Sequence, residues 1–180
     1  MPVWGKAGDQ QAAAGQDAQV SGPWHGCYTV SLVSASVHAA HVSQIDPVTL
    51  YGILRLRSAV FVVEQQCAYA DMDGRDLEPD AVLLWIERAG DVVATLRILA
   101  DSAGWRIGRV ATAQTARADG LGALLMNRAL ELTAGQNVVL DAQAYLEPWY
   151  QRFGFVRTGE QFIEDGIRHV PMIKKASPPL

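Results

Sequence analysis

The chain has 180 residues, 49% hydrophobic and 19% charged, with a formal net charge of −4 and a pI near 5.5. This length fits one domain that buries a core without staples, and the acidic balance excludes a phosphate-backbone binder, so no nucleic-acid partner is expected. Two cysteines, Cys27 and Cys67, cannot build a disulfide framework and fit a reducing compartment, the cytoplasm by default. No apolar run has signal-peptide or membrane-spanning length, so neither secretion nor membrane insertion is expected.

Residues 1–36 read as a mobile N-terminal tail. They are rich in Gly, Ala, Gln and Ser, too poor in large apolar groups to offset ordering entropy, and compatible with translation from an upstream start codon. Trp4, Trp24 and Tyr28 are the exceptions, read as scattered exposed aromatics rather than docked ones. A domain is expected over 37–175, with a frayed end at 176–180. A weak strand over about 37–44 leads to Asp46-Pro47, an N-cap followed by an N1 proline, and to a helix running to about Val60 with Leu50, Ile53 and Leu54 inward. Residues 71–80 hold five acids (Asp71, Asp73, Asp76, Glu78, Asp80) with Gly74 and Pro79, and read as a solvated or substrate-facing loop. Val82–Glu87 and Val92–Leu99 are β-rich runs joined by Arg88-Ala89-Gly90-Asp91, a hairpin turn, and a further turn at 101–104 brings in a strand over 105–111.

After that strand, Arg117-Ala118-Asp119-Gly120-Leu121-Gly122 opens a helix with Leu121, Leu124, Leu125, Ala129 and Leu132 on one face, ending near Gly135. Glycines at 120 and 122 let the backbone approach a ligand, and the N–H groups of a turn entering a helix point at an anion, naturally a diphosphate. Downstream come a strand at 138–142, a short helix with Pro148 in its first turn and Gly154 at its C-terminal cap, a strand from Phe155, and a hairpin closed by Asp165-Gly166 between about 160–164 and 169–174. The whole is an α+β chain with a mixed, largely antiparallel sheet and no internal repeats.

The Arg117–Gly122 pattern, R-x-x-G-x-G, resembles the acetyl-CoA pyrophosphate loop of the GNAT N-acetyltransferase superfamily; alone, it would equally suit a tight turn starting a helix. Tyr150-Gln151-Arg152-Phe153-Gly154-Phe155 is similar to that superfamily's Y-x-x-x-G-F signature. Leu56-Arg57 through Asp76 resembles the long signature of its ElaA-like branch, L-R-x-x-V-F-V-V-E-Q-x-C-x-Y-x-D-x-D-G-x-D, and Asp141–Ala144 and Asp165–His169 also look like that branch. The resemblance runs colinearly over about 37–174. It implies the GNAT acyl-CoA N-acyltransferase fold, with helices flanking a mostly antiparallel central sheet.

It further implies an acetyl-CoA-dependent N-acetyltransferase acting by direct attack of a primary amine of a small molecule or peptide in a ternary complex. The cofactor-binding residues would be Val110, Ala111 and Thr112, whose backbone serves the pantetheine arm and polarises the thioester carbonyl, and Arg117, Ala118, Asp119, Gly120, Leu121, Gly122 and Ala123 around the diphosphate. Arg117 reads equally well as a solvated guanidinium, and Asp119 is tolerable beside phosphates if its side chain turns outward or caps the helix. Tyr150 is the expected acid for the leaving thiolate, its alternative a packed core tyrosine. The general base is open. Many GNAT enzymes carry a glutamate on the strand before the cradle, which Trp105–Val110 lacks, leaving Glu64, Asp141 and His169 as alternatives. That gap supports a second reading, a non-catalytic acyl-CoA-binding regulatory module. The acidic loop would attract a cationic acceptor. A homodimer is compatible with the sequence, although no motif fixes the oligomeric state.

Other patterns do not carry chemistry. His38-x-x-His41 lies on a strand and lacks a third ligand, and Asp71–Asp76 has its glycine at position four where an EF-hand needs it at six, so no metal is expected. One strand–helix–strand unit without a third glycine excludes a dinucleotide fold, and Cys67 reads as packing.

Overall fold

The computed structural model describes residues 35–176. The readings on residues 1–34, with Trp4, Trp24, Tyr28 and Cys27, and on 177–180 lie outside the described residues. The elements run β1 (Val37–Ala40), α1 (Pro47–Arg57), β2 (Val82–Arg88), β3 (Asp91–Asp101), β4 (Gly104–Thr112), α2 (Leu121–Leu132), β5 (Val138–Gln143), α3 (Glu147–Gln151), β6 (Val156–Arg157), β7 (Phe162–Glu164) and β8 (Ile167–Lys174). One sheet holds them in the order β1-β2-β3-β4-β5-β8-β6, with β7 also on β8. All pairings are antiparallel except β4 with β5. This is the mixed, mostly antiparallel α+β sheet that the order of hydrophobic runs implies.

β2 shows why the sheet is sandwiched. Leu83 and Trp85 pack toward α1 with Ile53, Leu56 and Val60, while Leu84 and Ile86 pack toward α2 with Leu121, Leu125, Met126 and Ala129. A strand covered on both faces reads as a continuous apolar run, and Val82–Ile86 does. The β2–β3 and β7–β8 hairpins turn through consecutive left-handed residues, Ala89 and Gly90 at φ 50 and 84 and Asp165 and Gly166 at φ 48 and 79, a two-residue turn that matches strand twist.

Three expectations need correction. β1 stops at Ala40 because His41 diverts the chain: its Nδ1 accepts the Ser43 N–H at 3.2 Å and starts a single 3₁₀ turn. The helix entered at Asp46, whose carboxylate accepts the Val48 and Thr49 amides at 3.0 Å, is regular only to Arg57; over Ser58–Glu64 it widens to π-type bonding, as in Gln65 N–H to Val60 O at 3.1 Å. That widened coil carries the β-branched Val60, Val62 and Val63, which crowd an α-turn. On α2 the buried face is Leu121, Leu125, Met126 and Ala129, while Leu124 and Leu132 are exposed. Ile53 is buried, with Leu50 and Leu54 half-buried beside it.

Candidate functional site

β4 and β5 pair only at Trp105↔Val138 and Arg106↔Val139, and then part. Beyond that point a cleft of about 1200 Å³ opens between them, walled by Gly108–Thr112 of β4, by Leu140, Asp141 and Gln143 of β5, and by the loop entering α2. β4 itself is bulged. Thr95 faces Ala111 and Arg97 faces Gly108, so Arg109 and Val110 on β4 stand opposite one residue of β3, and Arg109 has φ 53. Val110, Ala111 and Thr112 therefore line the cleft just past an irregularity that frees backbone groups from the ladder.

The cradle is a run of unsatisfied amides. Ala118 and Gly120 are left-handed at φ 70 and 76, and the first amide of α2 with a backbone acceptor is that of Ala123, on Gly120 O at 3.0 Å. The amides of residues 118–122 find no backbone acceptor among the described residues. Successive N–H groups converging ahead of a helix N-terminus suit an anion. Gly122 supplies a second sign. A Cβ there would sit 3.4 Å from Trp149, ordinary contact, so the protein's own packing does not require glycine at 122. Gly122 also leaves the space over the cradle amides free of a side chain. These residues fit the diphosphate and pantetheine of an acyl-CoA.

Asp119 turns outward and pairs with Arg88, leaving the helix N-terminus uncapped by a side chain. Arg117 is not merely solvated. Its Nη1 and Nη2 hold Glu64 Oε1 and Oε2 at 2.8 and 2.7 Å, joining the widened end of α1 to the cradle's first residue. The hydrogen bond from Arg117 holds the Glu64 carboxyl below its usual range. Asp141 is likewise engaged, with Arg106 Nη1 at 2.6 Å from Oδ2 while Arg106 Nε reaches Asp101 at 2.8 Å. His169 lines the same cleft with Nδ1 3.0 Å from Ile167 O. A carbonyl only accepts, so in the neutral ring the proton sits on Nδ1 and Nε2 keeps its lone pair.

Tyr150, 7% exposed, sits in α3 and lines the cleft through a wall of rings: Trp149 and Phe155 lie edge-on at 4.8 and 6.2 Å. Burial pushes its phenol upward, which keeps the proton on oxygen at neutral pH. Packing and cleft exposure coexist at this residue, so its two sequence readings do not exclude each other.

The acidic loop is partly buried and partly exposed: Asp71 and Asp76 are buried, Asp80 is exposed, and Asp73 and Arg75 line the cleft. Arg57, 1% exposed in its side chain, holds Asp71 at 2.9 Å and Asp76 at 2.8 Å; Arg97 holds Asp73 at 2.8 Å and Asp76 at 3.2 Å. Arg109 adds contacts to Asp71 and Asp73 at 2.7 and 3.2 Å. Three guanidinium groups thus face the three aspartates, Glu78 pairs with Arg75 at 2.6 Å, and Asp80 is exposed. Burial pushes the Tyr69 phenol up to about 12, and its neutral ring lies 4.9 Å beneath the Arg109 guanidinium carbon. Sequence reasoning missed Arg97 and Arg109. Their signal was available: two arginines within apolar strand runs, Thr95–Leu99 and Ile107–Ala111, that needed buried partners. Cys67 is buried and unpaired, His38 stacks on Trp85 at 5.3 Å, and no group of metal-ligating side chains occurs among the described residues.

The family model of the acetyltransferase (GNAT) domain matches residues 46–176. The chain belongs to this family. A UPF0039 protein of Mycobacterium tuberculosis is 44% identical over 138 residues, 74% of this chain and 88% of the relative. Protein ElaA of Escherichia coli is 40% identical over 144 residues, 75% of this chain and 93% of ElaA, and its crystal structure superposes with a TM-score of 0.74 at 36% identity, covering 78% and 99% of the two chains. An acyl-CoA N-acyltransferase from Pseudomonas aeruginosa superposes with a TM-score of 0.73 at 40% identity, covering 77% and 99%. The fold is that of the GNAT acyl-CoA N-acyltransferases, and family membership supports acyl-CoA-dependent acyl transfer. Among the described residues no helix is long and apolar enough to cross a membrane.

Proposed function

We propose that the protein is an acetyl-CoA-dependent N-acetyltransferase acting on a primary amine of a small molecule or peptide by direct attack in a ternary complex. The observation that carries this reading is the convergence, in one cleft, of unsatisfied cradle amides, a bulged β4 and a buried tyrosine. The thioester supplies an acyl carbonyl open to attack. The free amides of residues 118–122 would hold the diphosphate with Ala123 beside them, Arg117 is able to exchange Glu64 for a phosphate, and the backbone at Val110, Ala111 and Thr112 would line the pantetheine arm and polarise the carbonyl.

As the amine nitrogen bonds to the acyl carbon and the C–S bond breaks, Tyr150 gives its phenolic proton to the leaving sulfur. The same buried wall that disfavours a phenolate disfavours a bare thiolate, so the proton transfer exchanges one desolvated anion for another. The proton shed by the amine goes to a base. Asp141 already serves Arg106, whereas Glu64 is freed wherever a phosphate takes its place on Arg117, so the Glu64 carboxylate and the His169 Nε2 lone pair are the bases on the cleft lining, reached directly or through one water. Cytoplasmic location and a homodimer complete the reading. A non-catalytic acyl-CoA-binding module is the second reading, favoured by the engagement of Asp141 with Arg106 and by the lack of a glutamate on β4.

CoA release from acetyl-CoA, measured across polyamines, amino acids, aminoglycosides and lysine peptides, separates the two. Turnover with one amine class is expected, and Tyr150→Phe then lowers kcat by about 100-fold while acetyl-CoA affinity barely moves. Acetyl-CoA binding without turnover of any amine would favour the binding module.

A further inference from the structure

The aspartate loop and the β4 bulge are joined by side chains that the transfer chemistry leaves unused. Arg109 occupies the bulge at φ 53, a left-handed conformation that suits glycine and strains a long L side chain. Gly108 stands immediately before it with open space where a Cβ would be, yet the strained position carries the arginine. Its side chain is contacted from three sides: Nη2 donates to Asp73 Oδ2 at 3.2 Å, Nε lies 2.7 Å from Asp71 Oδ1 as an ion contact without hydrogen-bond alignment, and the guanidinium carbon stands 4.9 Å over the Tyr69 ring. The two aspartates are fixed from behind by Arg57, rooted in α1, and Arg97, rooted in β3. The loop therefore ties α1 and β3 to the one residue that shapes β4 at the cleft.

We propose that Arg109 is a positioning residue: held by Asp71, Asp73 and Tyr69, it keeps the β4 bulge in its left-handed turn and so fixes the direction of the Val110 backbone at the acyl carbonyl. The proposal rests on the transferase reading. It gives the paired acids of the long signature a function other than substrate attraction: they are an electrostatic brace that transmits the rigidity of α1 and β3 to a backbone group in the cleft. Strain persists only where the surroundings over-determine it, and here three linked contacts do so, with Tyr69 Oη itself donating to Asp71 Oδ1 at 3.2 Å.

Arg109→Gly tests it, because glycine takes φ 53 without strain and the variant keeps its fold. Initial rates against acetyl-CoA, at a saturating amine found by the screen above, are expected to show kcat lowered by roughly tenfold or more, within the range seen when a carbonyl-polarising group is misplaced. CoA affinity by calorimetry stays within about twofold, since the cradle is untouched. Asp73→Asn gives a smaller loss in the same direction, and adding it to Arg109→Gly gives little further loss, as expected of one unit. Amide order parameters for residues 109–111 fall in Arg109→Gly, a readout that needs no turnover. Wild-type kcat in folded Arg109→Gly, or unchanged order parameters at 109–111, overturns the brace. Absence of turnover by the wild-type protein, with the order parameters still falling, counts against the transferase reading and leaves the brace standing.

Discussion

Two arginine–carboxylate attachments start from neighbouring turns of the same segment. Arg57, at the end of regular α1, holds Asp71 and Asp76 with side chains 1%, 6% and 11% exposed. Seven residues on, Glu64 pairs with Arg117 in a bidentate geometry just as close, but with both side chains about 40% exposed. Water and salt screen the second pair and hardly reach the first. The difference separates what the two regions are for. A buried pair whose partners are all inside has no alternative partner and acts as a fixed strut; an exposed pair at the mouth of an anion cradle can give up one partner for a phosphate at small cost.

The largest expected effect lies in the strut. Arg57→Ala leaves Asp71 and Asp76 buried without their principal counter-charge and should cost about 3–5 kcal/mol in denaturant unfolding. A loss under about 1 kcal/mol would erase the distinction between the two pairs.

Acid should loosen the same region. The hydrogen bond from Arg97, joined by the Arg75 amide and the charges of Arg97 and Arg109, holds the Asp73 carboxyl well below the usual carboxylate range against an opposing desolvation. Its folded pKa lies below its unfolded one, so the stability it contributes is present above the unfolded value of ~3.9 and is lost as pH falls from there toward the depressed folded value. Melting temperatures followed from pH 6 down to pH 2 should fall more steeply for the native chain than for Asp73→Asn. Parallel curves would show that Asp73 contributes nothing through its charge.

The exposed pair should give the smallest response. Glu64→Gln is expected to change stability by less than about 0.5 kcal/mol and to raise CoA affinity by at most about threefold, because Arg117 loses a competitor for phosphate. A fall in CoA affinity would mean that Glu64 organises the cradle rather than competing with its ligand.

The fold was readable where local chemistry decides it. Ala89-Gly90 and Asp165-Gly166 mark hairpins because few residues accept consecutive left-handed angles, and Asp46-Pro47 marks a helix start because cap and ring act within one turn. The turn before α2 was readable for the same reason: Gly120 takes the left-handed angle that frees the amides of residues 118–122 from backbone acceptors. What stayed hidden depends on distance. The acids of 71–76 look like a solvated face until arginines 14 to 38 positions away fold onto them. The bulge stayed hidden because its left-handed residue is an arginine, not a glycine. The misplaced α2 face shows a third limit: Leu124 and Leu132 fit the period but fall on the flank where the sheet no longer covers the helix.

The central claim is that the open face over Gly122 is the acyl-CoA diphosphate site, and thermal unfolding with and without CoA tests it most directly. A ligand that binds the folded state alone raises the melting temperature by mass action, so wild-type protein should show a CoA-dependent rise. Gly122→Val, whose apo melting temperature should stay close to wild type because a Cβ there meets Trp149 only at 3.4 Å, should show no rise. A full CoA shift in folded Gly122→Val would contradict the assignment of the cradle.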